Sequence, residues 1–243
     1  MHELLKGLLP PMLTRALQAA KLRRRHYFGL DNLDEKLEAY VDFDDGYFVE
    51  LGANNGVSQS NTLHFERYRN WRGVLVEPVP HHYLQCKANR SKRTRVFCNA
   101  CVSFDYPELF VPIAYSDLMS TPVGVESDVG DPLAHARSGR HLPAATDDNF
   151  VFGAAARTLN SILLESAAPS YVDLLSLDVE GAEIEVLKGV DHCRYRFRYI
   201  CVECRDISRL DVFLGSHGYR LVDQLSVRDY LFRPYTGFGA GTA

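Results

Sequence analysis

The chain has 243 residues, 46% of them hydrophobic and 24% charged, with a net charge of −4. This is ordinary globular composition, suited to one domain with some additions, whose core needs no disulfide or metal staple. The acidic balance excludes a global basic field for gripping nucleic acid. No apolar run approaches the roughly 18–20 residues of a membrane span. Leu4, Leu5, Leu8 and Leu9 are broken by Gly7 and stopped by Pro10 and Pro11, too short a run for a secretory signal core. A cytoplasmic protein is expected.

Residues 1–45 read as an N-terminal helical extension. Leu13, Ala16, Leu17 and Ala20 keep helical spacing, and Lys21, Arg23, Arg24 and Arg25 follow. Those cations suit a helix C-terminus, or make a basic amphipathic segment for peripheral contact with an anionic membrane or a partner. A short helix is expected over 33–40. From Gly46 strands and helices alternate: YFVEL, a glycine-bounded turn and a helix over 58–68; GVLVEP and a helix over 80–89; then RVFCNACV as a third strand.

The stretch 104–157 breaks this rhythm with Pro107, Pro112, Pro122, Pro132 and Pro143, and reads as an irregular insertion, a lid or a surface excursion. Regularity returns with TLNSILLE (helix), VDLLSLDV (strand), GAEIEVLKGV (helix) and YICVEC (strand). A helix marked by Ile207, Leu210, Phe213 and Leu214 follows, and YRLVD and DYLF close as an antiparallel pair. The pattern is that of an α/β fold with a doubly wound parallel sheet over 46–243.

Two pairs among the six cysteines, Cys98–Cys101 and Cys201–Cys204, have the form CxxC. Zinc pairs of that form sit on tight turns. Here each pair falls on an expected strand, where residues three apart point to opposite faces, so reduced structural thiols are expected.

The strongest local signal is Glu50-Leu-Gly52-Ala53-Asn54-Asn55-Gly56 between a strand and a helix. Glycine allows a sharp turn and close backbone approach to a ligand. Glu77 ends the second strand 25 residues after Gly52, where an acid accepts hydrogen bonds from ribose hydroxyls. Together they specify a nucleoside-containing cofactor. An NAD(P)-dependent oxidoreductase shares both features, but its G-x-G-x-x-G fingerprint needs glycine where Asn54 stands. S-adenosylmethionine (SAM) carries no pyrophosphate and tolerates the asparagine. Asp178, Glu180 and Glu183 follow the fourth strand; Asp178 is expected in the cleft beyond the strand ends, while helix capping competes as a role for all three.

FVELGANNGVSQSNT, WRGVLVEPVP and SLDVEGAEIEVLKG, in that order, resemble the FkbM family of SAM-dependent methyltransferases, over about 47–99 and 158–232. The resemblance implies a Rossmann-like seven-stranded sheet with its last strand antiparallel, and methyl transfer to a hydroxyl of a sugar, glycan or polyketide-type product. It places Glu50, Gly52, Ala53, Asn54 and Gly56 on the methionine side of SAM. Glu77 falls at the ribose, Asn99 and Ala100 at the adenine, and Asp178 at the reacting end. Ser60, Asn61 and Thr62 fall at the cleft floor.

Methyl transfer to an alcohol needs alignment, exclusion of water and a base. Glu180 is the favoured base; Asp178, His64, His135 and His141 are the other candidates. Asp178, Glu203 and Asp206 are the residues for a divalent metal, should one lower the hydroxyl pKa. Arg137 and Arg140 are candidates for gripping an anionic glycan. A catalytically silent, methyltransferase-like binding protein is the remaining alternative.

Overall fold

Unbroken apolar runs favour strands buried on both faces, and two such runs lead the main sheet. A computed structural model describes residues 27–138 and 150–235. β1 (Tyr47–Leu51) is buried throughout and β2 (Arg72–Val76) at all but its first residue. Successive side chains go to opposite faces: Val49 and Val74 join one core layer, Phe48 and Leu75 the other. The Phe48 layer is covered by α1 (Leu33–Glu38), α2 (Leu63–Tyr68) and α3 (Pro80–Asn89), which contribute Leu33, Leu37, Phe65 and Cys86. Residues 33–41 therefore belong to the main core, with Leu37 and Val41 fully buried. The expected helix around Leu13 and the cations at 21–25 lie outside the described residues.

The helix expected over 58–68 begins only at Leu63. Asn55 Oδ1 accepts from the N–H groups of Val57 and Ser58, and Gln59 takes a left-handed φ of 60°. Both hold the chain in a loop through Thr62. The strand expected across RVFCNACV is also divided. β3 (Arg95–Phe97) pairs with β2, whereas β4 (Ala100–Cys101) leaves the sheet and pairs with β7 (Val151–Arg157).

The insertion is a second sheet, not an irregular excursion. Its strands β5 (Phe110–Ala114) and β6 (Thr121–Pro122) complete the order β4-β7-β5-β6, and α4 (Pro132–Ser138) follows β6. Val111 and Ile113 point into a small core with Ala100, Val102 and Ala154, while Phe110 and Pro112 face outward. That alternation is the mark of a sheet with one buried face.

The chain returns to the main sheet through α5 (Leu159–Glu165), capped by Thr158 accepting from the N–H of Ser161. β8 (Tyr171–Leu177), α6 (Glu183–Leu187), β9 (Arg196–Glu203), α7 (Ile207–Ser216), β10 (Tyr219–Gln224) and β11 (Asp229–Pro234) complete it. Helices α5, α6 and α7 cover the Val49 layer. The order is β10-β11-β9-β8-β1-β2-β3; β11 is antiparallel to both neighbours, and the pairs among β3, β2, β1, β8 and β9 are parallel. This is the Rossmann-like seven-stranded sheet with a reversed last strand. Cys201 and Cys204 lie in opposite core layers, so their thiols diverge.

Candidate active site

Order reverses between β1, which carries the chain toward β2, and β8 on its other side, so the crevice opens where these strands end. Gly52 turns the chain there with φ of 76°, and a Cβ on it would stand 1.7 Å from the carbonyl oxygen of Asp178. Only glycine lets the loop after β1 touch the end of β8. Asn54 continues the turn at φ of 46° and donates its N–H to Glu77 Oε2 at 2.8 Å. Glu77 Oε1 accepts from the N–H of Val79 at 2.9 Å. Glu77 thus ties the first loop to the second, and burial pushes its carboxyl up to about 8.

Glu50 is spent on the loop itself. Its oxygens accept from Ser60 Oγ, the N–H of Asn61, Thr62 Oγ1 at 2.6 Å and Arg90 at 3.3 Å. The buried Arg90 also donates to Gly56 O, Thr62 Oγ1 and Glu66, so one guanidinium fastens the whole turn. Its i-to-partner separation gave the sequence no local signal for this role.

These loops enclose a cavity of about 320 Å³, at the small end of the range for bound cofactors. It is lined by Glu50, Gly52, Ala53, Asn54, Ser60, Asn61, Glu77, Asn99, Ala100, Asp178, Glu180 and Glu203. Gly52, Glu77 and Asp178, from three strand ends, do converge. Gly56 does not line the cavity: it packs behind the loop on Cys86 and Arg90. Thr62 lies beneath it, and His64 stacks on Tyr27 at 4.7 Å with Glu38 at 3.2 Å, away from the cavity. Arg137 is exposed on α4; Arg140 and His141 lie outside the described residues.

Asp178 Oδ1 is screened from solvent and has no hydrogen-bond partner among the described residues, and the same holds for Asn61 Oδ1. Burial, together with Glu203, Glu180, Glu183 and Asp229, holds the Asp178 carboxyl well above the usual range. Glu180 sits at a left-handed φ of 55°, strain typical of functional turns. Its Oε2 meets His135 Nε2 at 2.7 Å and Arg205 Nη2 at 3.0 Å. His135 comes from α4, so the insertion reaches the acidic end of the site. Glu183 folds back to accept from Val179 and Gly181 N–H groups, a capping role, and burial raises it to about 7.

The three residues expected for a metal do not converge. Asp206 caps α7 by accepting from the N–H of Arg209 and is not in the cavity wall. Among the described residues no three His, Cys, Asp or Glu side chains form a group that would hold a metal ion.

The opposite wall comes from the insertion, through Val111, Ile113, Asp117, Met119, Pro122 and Val125. Sequence reasoning did not single out Asp117, its partner His82, or Arg205. Arg205 stands at the end of β9, where the strand-end rule would have found it; Asp117 had no such signal.

Comparison with known families matches residues 50–221 to the methyltransferase FkbM domain. No curated protein gives a significant match. Among solved structures, the chain is similar to a precorrin-6y C5,15-methyltransferase from Geobacter metallireducens, at 12% identity over 83% of this chain and 86% of that one, TM-score 0.42. It is also similar to a SAM-dependent methyltransferase from Aquifex aeolicus, at 10% identity over 86% and 89%, TM-score 0.38. The family match spans well over half of the sequence and contains both cleft loops and the β8 acids: the chain belongs to the FkbM family and is a SAM-dependent methyltransferase.

Proposed function

We propose that the protein methylates a hydroxyl of a sugar, glycan or polyketide-type product, with Asp178 as the base. The observation that carries this is Asp178 Oδ1, without a hydrogen-bond partner among the described residues, in the wall of a cavity rimmed by other carboxylates. The residues fit the cofactor: Gly52 packs the loop after β1 against the end of β8 and lines the cavity, Glu77 stands for the ribose, and the shielded Asp178 and Asn61 side chains present acceptor oxygens there. When bound, SAM supplies a methyl carbon activated by a positively charged sulfonium.

Gly52, Ala53 and Asn54 would hold the methionine side, and Asn99 and Ala100 the adenine. Asp178 takes the hydroxyl proton as the new O–C bond forms. Burial favours its neutral form, and the positive sulfonium of bound SAM would favour the carboxylate; once ionised there, Asp178 is a stronger base for an alcohol than an ordinary carboxylate. Glu180, the base favoured by sequence, is the weaker one, because His135 and Arg205 both draw on Oε2. It orients the acceptor instead. The insertion wall excludes water.

The test is calorimetry followed by turnover. S-adenosylhomocysteine is expected to bind and NADH not to; the reverse pattern overturns the cofactor. Asp178→Asn is expected to lower kcat about 10²–10⁴-fold, with product affinity within a few-fold of wild type. Full activity in that variant removes Asp178 as the base.

A further inference from the structure

We propose that Asp117 is a further cofactor-recognition residue, a carboxylate supplied by the second sheet that accepts a hydrogen bond from a donor on the nucleoside, with His82 as its positioning residue. The inference rests on the SAM reading of the cavity and adds to it a contact from outside the seven-stranded sheet.

Asp117 belongs to the turn between β5 and β6 and lines the same cavity as Glu77. It holds a left-handed φ of 51°, an uncommon conformation for a non-glycine residue, though one aspartate tolerates better than most. Ser120 secures the turn by donating its Oγ to the Asp117 carbonyl at 2.7 Å. One imidazole joins the two cavity carboxylates. His82, buried on α3, has Nε2 at 3.0 Å from Asp117 Oδ1 and Nδ1 at 3.9 Å from Glu77 Oε1.

Nδ1 also lies 3.5 Å from Asn54 Nδ2 in the loop after β1. With its proton on Nε2, His82 donates to Asp117 and leaves Nδ1 to accept from Asn54. Burial and the adjacent His81, with ring centroids 4.0 Å apart, hold the imidazole below its ordinary range and favour this neutral form.

His82 uses Asp117 Oδ1, and no hydrogen bond within the described residues occupies Oδ2, in a side chain only 13% exposed. A carboxylate so confined has acceptor capacity left and little water to satisfy it. Glu77 stands one imidazole away. If Glu77 meets the ribose, the nearest donors on the same ligand are a ribose hydroxyl and the adenine amino group. Both present the same chemistry to Asp117, an N–H or O–H to an anionic acceptor.

The experiment measures Kd by calorimetry for S-adenosylhomocysteine, its inosine analogue and its 2′- and 3′-deoxy analogues, on wild type and Asp117→Ala. The variant is expected to bind the parent about tenfold or more weakly, the loss of one charge-assisted hydrogen bond. It is also expected to erase the wild-type penalty against whichever analogue lacks the donor, which tells base from sugar. His82→Ala is expected to give the same analogue pattern, and His82→Gln, which keeps a donor toward Asp117, to restore discrimination. Unchanged affinity in Asp117→Ala, or an equal loss for parent and all analogues, overturns the proposal. Wild type that fails to bind the parent overturns the SAM reading itself, a distinct result.

Discussion

Strand β8 lies between two helical layers with five of its seven residues buried, whereas β7 of the second sheet has a single buried residue and faces solvent along most of its length. Both strands have neighbours on both edges, but β8 has core on both faces, whereas β7 rests on a core of five small or medium side chains. Each sheet supplies one wall of the cavity. The frame that fixes Gly52, Glu77 and Asp178 is therefore the stable part, and the wall facing it is the part with least to lose by opening.

The largest expected effect breaks the stable wall. Gly52→Ala forces a Cβ onto the Asp178 carbonyl at a left-handed φ. It is expected to cost about 3 kcal/mol or more, lowering Tm by roughly 6–12 °C at this chain length. It is also expected to weaken S-adenosylhomocysteine binding at least about 100-fold, by displacing both loops. Calorimetry and thermal melts check both; a variant that binds normally would show the contact to be slack.

A smaller effect is expected in the other wall. Ile113→Ala empties the second core at a cost near the lower end of about 2–5 kcal/mol. Hydrogen exchange of β5 and β7 amides is expected to speed about thirtyfold, while β8 and β9 keep their protection. Uniform loss of protection would mean that the two sheets unfold as one.

The smallest effect is in pH. Buried carboxyls with raised pKa, among them Glu77 at about 8 and Glu183 at about 7, belong to the main-sheet frame. Native Glu77 keeps a proton that the unfolded chain has lost above about 4.5, so stability falls as pH rises toward 8. His192, lowered by burial to about 4, works in the opposite sense but only below about 6.5. Between pH 6.5 and 8 the Glu77 contribution stands unopposed by it, and Tm is expected to fall by a few degrees, with a flatter slope in Glu77→Gln. A rising Tm would contradict this assignment.

The seven-stranded frame was legible because its signals are local. YFVEL, VLVEP and LLSL are apolar runs closed by acids, and Pro80 opens α3 where proline favours a helix start. What was illegible depended on distant partners. Nothing in SQSNT announces that Glu50 and Arg90 will claim its polar groups and delay the helix to Leu63. Nothing in CNAC shows that the strand changes sheets at Cys98, because the partner that draws it away is β7, more than 50 residues on. In the insertion the prolines masked a period of two: Val111 and Ile113 alternate with Phe110 and Pro112.

The site was legible to the same depth. Most of the loop residues and strand-end acids read from the sequence line the cavity, whereas Asp117 and His82 depend on tertiary placement of a turn against α3.

Lys36 donates to the carbonyl of Leu225, and Tyr40 bonds to Asp223, partners 189 and 183 residues apart. These ties lock α1 onto the closing hairpin, while Leu30, Leu33, Arg228 and Asp229 form part of the cavity lining. During synthesis the α1 region precedes this hairpin by most of the domain, so these ties form only once β10 and β11 have been made. The pocket is thus completed only after the β10–β11 hairpin has been made, and a nascent chain lacking that hairpin has no finished site with which to capture cofactor.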